Sequence, residues 1–87
     1  MPYIDSRDRP PLDKAIQEVL SQFDPMHLNV GKLNYVLSKI VRELFLDNKC
    51  YATANSLVGV LECVKQEAYR TAIAAYEDLK KRDNGDI

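Results

Sequence analysis

Apolar residues recur along most of the chain at the three- and four-residue intervals of an amphipathic helix. Leu12, Ala15, Ile16, Val19, Leu20 and Phe23 form the first stripe and predict a helix over residues 11–23. Pro11 suits its first turn, and Asp24-Pro25 ends it. Leu33, Val36, Leu37, Ile40, Val41, Leu44 and Phe45 form a second stripe, predicting a helix over residues 30–46 with Asn29 as N-cap. The polar link Asp47-Asn48-Lys49 is short, so helices two and three are expected as antiparallel neighbours. A third helix is expected over residues 52–81, before the stop signal Asn84-Gly85. Residues 1–10 read as an irregular arm, because Arg7-Asp8-Arg9-Pro10-Pro11 suits neither a continuing helix nor a central strand. With no alternating strand pattern, the expected fold is all-α: one small three-helix domain over residues 11–87 with a long C-terminal helix.

That third helix is the most informative segment. Thirty residues at about 1.5 Å each span about 45 Å, more than the diameter of so small a domain. Its apolar content is broad, since Leu57, Val58, Val60, Leu61, Cys63 and Val64 cover more than half the circumference, and Ala54, Ala68, Ala72 and Ala75 add a smooth seam. Such a helix needs cover on two sides, which predicts a homo-oligomer with helix three at the interface. Asn55, Glu62, Tyr69 and Tyr76 repeat every seven residues and would stack as a polar row beside the apolar arc, with Lys65 inside the arc. Whether Pro2-Tyr3-Ile4 closes over a neighbouring protomer is left open by the pattern.

Composition narrows the function classes. A net charge of −1 over 87 residues gives no basic excess for DNA or RNA. No apolar run approaches the roughly 18 residues of a membrane span, and Met1-Pro2-Tyr3-Ile4-Asp5 lacks the charged and apolar regions of a signal peptide. Cys50 and Cys63 fit no zinc or redox spacing and read as buried or half-buried free thiols in a reducing compartment. These features point to the cytoplasm.

Three blocks, Gly31-Lys32-Leu33-Asn34-Tyr35-Val36, Gly59-Val60-Leu61-Glu62-Cys63-Val64-Lys65 and Ala75-Tyr76-Glu77-Asp78, are followed by Asn84-Gly85-Asp86. In this order they resemble an uncharacterised family of small helical phage and prokaryotic proteins with the pattern GxLNYV, GVLECxKxE, YED and NGD. The resemblance spans about residues 29–86 and implies the fold, with no activity attached. The chain departs from the pattern at Ala75, where a proline and its kink are usual, and at Lys32, where an acid is usual. The second change removes a helix-dipole contact of about 0.3–1 kcal/mol.

The candidate ligand-binding residues are Asn34, Glu62, Lys65, Tyr69, Arg70 and Tyr76. Lys65 and Arg70 suit phosphate, the tyrosines offer stacking faces, and Asn34 and Glu62 suit the polar edges of a base. Opposed to this is a solvated polar rim beside a helix–helix interface, or, for Asn34, a residue that fixes helix register. Glu77-Asp78 with Asp86 is a weak cation candidate, since adjacent helical residues diverge by about 100°. His27 stands alone as a surface or capping residue, and Glu62 and Glu67 diverge by about 140°, unlike the acids of a helical magnesium site. With no phosphate loop, nucleophile elbow or Cys–His pair, no catalysis and no cofactor are expected. The expected function is a non-catalytic small-molecule binder. The phage setting of the resembled family gives it a concrete form, a sponge for a nucleotide-derived immune signal in the host cytoplasm. The alternatives are a protein-interaction module that docks through helix three on a host protein, and a purely structural oligomer.

Overall fold

The computed structural model describes residues 4–85, and its fold is all-α, without strands among those residues. Asp5 starts the first element: its carboxylate accepts the Arg7 backbone N–H at 2.9 Å and caps a 3-10 turn over Ser6–Asp8. Helix α1, Arg9–Leu20, follows directly. The expected irregular arm therefore ends earlier than residue 10. Pro10 and Pro11 both fit the first turn, where backbone N–H groups have no acceptor inside the helix and a missing N–H costs nothing. The end of α1 winds down through single turns, with Gln22 N–H to the Val19 carbonyl and Phe23 N–H to the Leu20 carbonyl, both at 3.0 Å. Asp24 then organises the connection. Its carboxylate accepts the Met26 N–H at 2.9 Å and lies 3.4 Å from the His27 Nδ1, so His27 is a turn residue.

Helix α2, Val30–Asp47, opens as its sequence suggests. The Asn29 side-chain oxygen accepts the Lys32 N–H at 2.9 Å and the Asn29 carbonyl accepts the Leu33 N–H at 3.1 Å. Lys32 does more than its sequence context implied. Its ammonium donates to the Gln22 carbonyl at 2.6 Å and lies 5.6 Å from the centre of the Phe23 ring. The cation, unfavourable at a helix N-terminus, is thereby neutralised by the carbonyl dipole and ring face that end the preceding helix.

Cys50 adopts an extended backbone as N-cap of α3, Tyr51–Ala68. The helix then passes through one π-helical segment, Tyr69–Ile73, into α4, Ala74–Asn84. Residues 51–84 thus form a continuous long C-terminal helix with no break near Ala75. It stops at Gly85, whose φ of 83° is a left-handed conformation, with its N–H donated to the Lys81 carbonyl at 2.8 Å.

The chain divides into two units, Met1–Ser38 and Lys39–Ile87, with the boundary inside α2. In the first, α1 and the start of α2 share the Lys32 clasp but do not pack along their lengths; in the second, neither do the end of α2 and α3. The antiparallel neighbours expected from the short link are therefore not formed. No described residue is buried. Phe23 and Val36 are half-buried in the first unit, and Val41, Phe45, Thr53, Ala54, Leu57, Glu67 and Ala74 in the second. The stripes expected to form a core are open, as at Ile16 (52% exposed), Leu37 (47%) and Leu61 (42%). Cys50 and Cys63 are exposed free thiols, contrary to the buried or half-buried positions expected, because no described residue is buried around them. Of the arm segment Pro2-Tyr3-Ile4, the first two residues lie outside the described residues.

The Asn29 cap gives a direct check. Asn29→Ala should destabilise the folded state by about 1 kcal/mol, whereas Asn29→Asp should be nearly neutral. Urea unfolding at one fixed protein concentration measures both.

Candidate functional site

The polar residues singled out in the C-terminal helix are positioned by its periodicity, and most are engaged within it. Glu62 and Lys65 face each other one turn apart, with Oε1 and Nζ 3.1 Å apart, and Gln66 donates to the same carboxylate oxygen at 3.2 Å. The Lys65 bond, then that from Gln66, hold the Glu62 carboxyl below its ordinary range. Lys65 itself is 73% exposed, so it projects from the apolar arc toward solvent on a long stem. Arg70 is drawn to Glu67, donating through Nη2 to both carboxylate oxygens at 2.7 and 2.9 Å. That bond holds the carboxyl of Glu67, a half-buried residue, below its ordinary range.

The π-segment changes the row itself. An α-helix nearly repeats every seven residues, and a π-turn inserts one residue into that repeat. Beyond Tyr69 the aligned position is therefore the eighth residue, Glu77, and the Tyr69 hydroxyl donates to Glu77 Oε2 at 3.0 Å. The expected stacking of Tyr69 with Tyr76 is displaced by this insertion. The hydrogen bond to Glu77, and next its negative charge, raise the Tyr69 phenol above its ordinary value. Tyr76 is paired differently, with the Lys80 ammonium 5.6 Å from its ring centre. Thr71 donates to the Glu67 carbonyl at 2.7 Å, one of the local bonds made where the π-segment reorganises the backbone ladder.

Asn34 lies in the other unit, where its side-chain oxygen accepts the Ser38 hydroxyl at 2.8 Å. The structure therefore joins Glu62 to Lys65, but gives Arg70, Tyr69 and Tyr76 the partners Glu67, Glu77 and Lys80. Two of these were accessible from spacing alone: Glu67–Arg70 at i, i+3 and Tyr76–Lys80 at i, i+4. Glu77 was not, because a regular α-helix with no π-turn points it away from Tyr69.

A shallow hollow at the α2–α3 corner is lined by Phe45, Lys49, Cys50, Tyr51 and Ala54, and contains none of the row residues. Hydrogen bonding to the Thr53 side chain, with Sγ and Oγ1 3.3 Å apart, holds the Cys50 thiol below its ordinary pKa. Among the described residues no three His, Cys, Asp or Glu side chains are grouped to hold a metal ion. Asp86, considered with Glu77 and Asp78, lies outside the described residues. No described helix is long and apolar enough to cross a membrane.

These pairs fix the sign of the pH response. Glu62 and Glu67 are more acidic in the folded chain, so their contribution is present above about pH 4.3 and is lost as pH falls below it. Tyr69 holds its proton more tightly when folded, so its contribution is present below about pH 10 and is lost as pH rises further. Helicity followed by circular dichroism should decline modestly at both ends, since exposed pairs are screened. Glu67→Gln should flatten the acid limb, and Glu77→Gln should bring Tyr69 ionisation to lower pH in an ultraviolet absorbance titration.

No curated protein and no solved structure matches the chain. The family model described as a domain of unknown function (DUF6899) matches residues 1–87, the whole chain, and so the chain belongs to that family.

Proposed function

We propose that this chain is a non-catalytic helical binding module that works through the apolar arc and polar rim of residues 51–84, with protein as its partner. The observation that carries the reading is the absence of any buried side chain among the described residues, although Leu57, Leu61, Val64 and their counterparts in α1 and α2 lie on regular stripes. A chain so arranged gains its hydrophobic stabilisation from what it binds. The polar row supports the same reading. Glu62, Lys65, Tyr69 and Arg70 already bond to neighbours on their own convex helix, so they resemble the rim of an interface more than a concave ligand site. Its partners are copies of itself and, in a phage setting, a host protein. The two exposed free thiols suit a reducing cytoplasm.

A second reading is favoured by one observation, the cation placed beside an exposed aromatic face at Lys80 and Tyr76. Together with Lys65 this offers charge for a phosphate and a ring for a base, the chemistry of a nucleotide-derived ligand held by an assembled protein. In a phage this would be an anti-defence sponge for an immune signal nucleotide.

Native mass spectrometry of the purified chain, alone and with linear and cyclic nucleotides, separates the two. The first reading expects an assembly whose mass is unchanged by nucleotide. A stoichiometric gain of nucleotide, lost in Lys65→Ala while the assembly mass stays the same, would replace it with the second.

A further inference from the structure

The long helix carries neither glycine nor proline between Gly59 and Gly85, so nothing in its backbone forces the π-turn at Tyr69–Ile73. Regular α-winding is open to the same residues and is their ordinary state, since π-turns are rare and brief. The extra residue shows in the backbone ladder. The Ala74 N–H donates to the Tyr69 carbonyl, five residues back, where a regular helix would use that of Arg70. The Tyr69 hydroxyl, donating to Glu77 Oε2 at 3.0 Å, bridges the whole segment. Its acceptor is a carboxylate, the kind of partner that makes a side-chain hydrogen bond strong. At about 100° per residue, regular winding would set Glu77 about 80° round the helix from Tyr69. The extra residue reduces that angle to about 20°, so the bond belongs to the π register.

The two windings present different surfaces. With regular winding, Ala72, Ala75 and Leu79 continue the line of Leu61, Val64 and Ala68, all within about 60° of Leu61. With the extra residue, each of those places passes to the next residue along, Ile73, Tyr76 and Lys80. A line of small residues ending in leucine is thus exchanged for a bulky one ending in a cation. Ile73 and Tyr76 stand 48% and 59% exposed there.

We infer that Tyr69 and Glu77 form a latch that selects between these windings. Closed, their hydrogen bond holds the π-turn; open, residues 69–73 rewind as α-helix and α4 turns about its own axis by about 100°. The latch determines which side chains the C-terminal half of the helix offers, whatever partner meets them. It therefore goes beyond the proposed function and does not depend on it.

The test is nuclear magnetic resonance of the full chain, with no partner added, reading the coupling across the hydrogen bond that identifies the acceptor of the Ala74 N–H. The parent should show the Tyr69 carbonyl, and the Tyr69→Phe chain, which keeps the ring and loses the donor, should show that of Arg70. Glu77→Ala should behave as Tyr69→Phe does, whereas Glu77→Gln, which keeps an acceptor oxygen, should behave as the parent. A Tyr69→Phe chain that still pairs Ala74 with residue 69 overturns the latch, because the π-turn then persists without it. Loss of helicity beyond Ala68 in that chain also overturns it, since the latch selects a winding and does not create the helix. Deleting Ala72 supplies an independent check: the helix should become regular while Glu77 stays in line with Tyr69. The Tyr69 phenol should then ionise as in the parent; ionisation as in Glu77→Ala would overturn the assignment of registers.

Discussion

Helices of twelve to eighteen residues persist in water only when one face is removed from it, and this requirement governs everything else about the chain. Each helix has such a face, and none of the faces is covered by another part of the same unit. Hydrophobic burial is the dominant favourable term in folding, and no described residue is buried.

What the chain does provide alone is local. The ion pairs Arg7–Asp5, Lys39–Glu43, Lys65–Glu62 and Arg70–Glu67 and most of the side-chain hydrogen bonds among the described residues join positions two to four apart, and exposed pairs of that kind contribute little each. They preserve helical segments that would otherwise fray, and they set where segments begin and end, at Asp5, Asn29 and Gly85. The clasp of Lys32 on Gln22 and Phe23 differs in kind. It connects residues ten apart and ties the end of the preceding turn to the start of α2.

The π-segment at Tyr69–Ile73 divides the long helix into two registers without breaking it. Before it, the seven-residue repeat carries an apolar seam and a polar rim. After it, one added residue rotates the pattern, brings Glu77 under Tyr69 and leaves Tyr76 beside Lys80. The helix continues through Ala75 into α4 after this change of winding.

Read from the sequence alone, periodicity determined the all-α class, the three helices, the Asn29 cap and the unusual width of the apolar arc on the third. These depend on residues a few positions apart, which the chain's own geometry relates. The opening of α1 at Arg9 eluded that reading because two prolines that exclude a helix interior are tolerated in its first turn. The same limit explains why Glu62 with Lys65 was legible and Tyr69 with Glu77 was not: the second pair exists only after a π-turn has changed the number of residues per repeat. Only the tertiary structure decided that no described residue of the apolar stripes is buried and that both thiols stand exposed. A stripe records that a face must be buried; what comes to bury it depends on which surfaces meet in space, and periodicity along one chain carries no information about that.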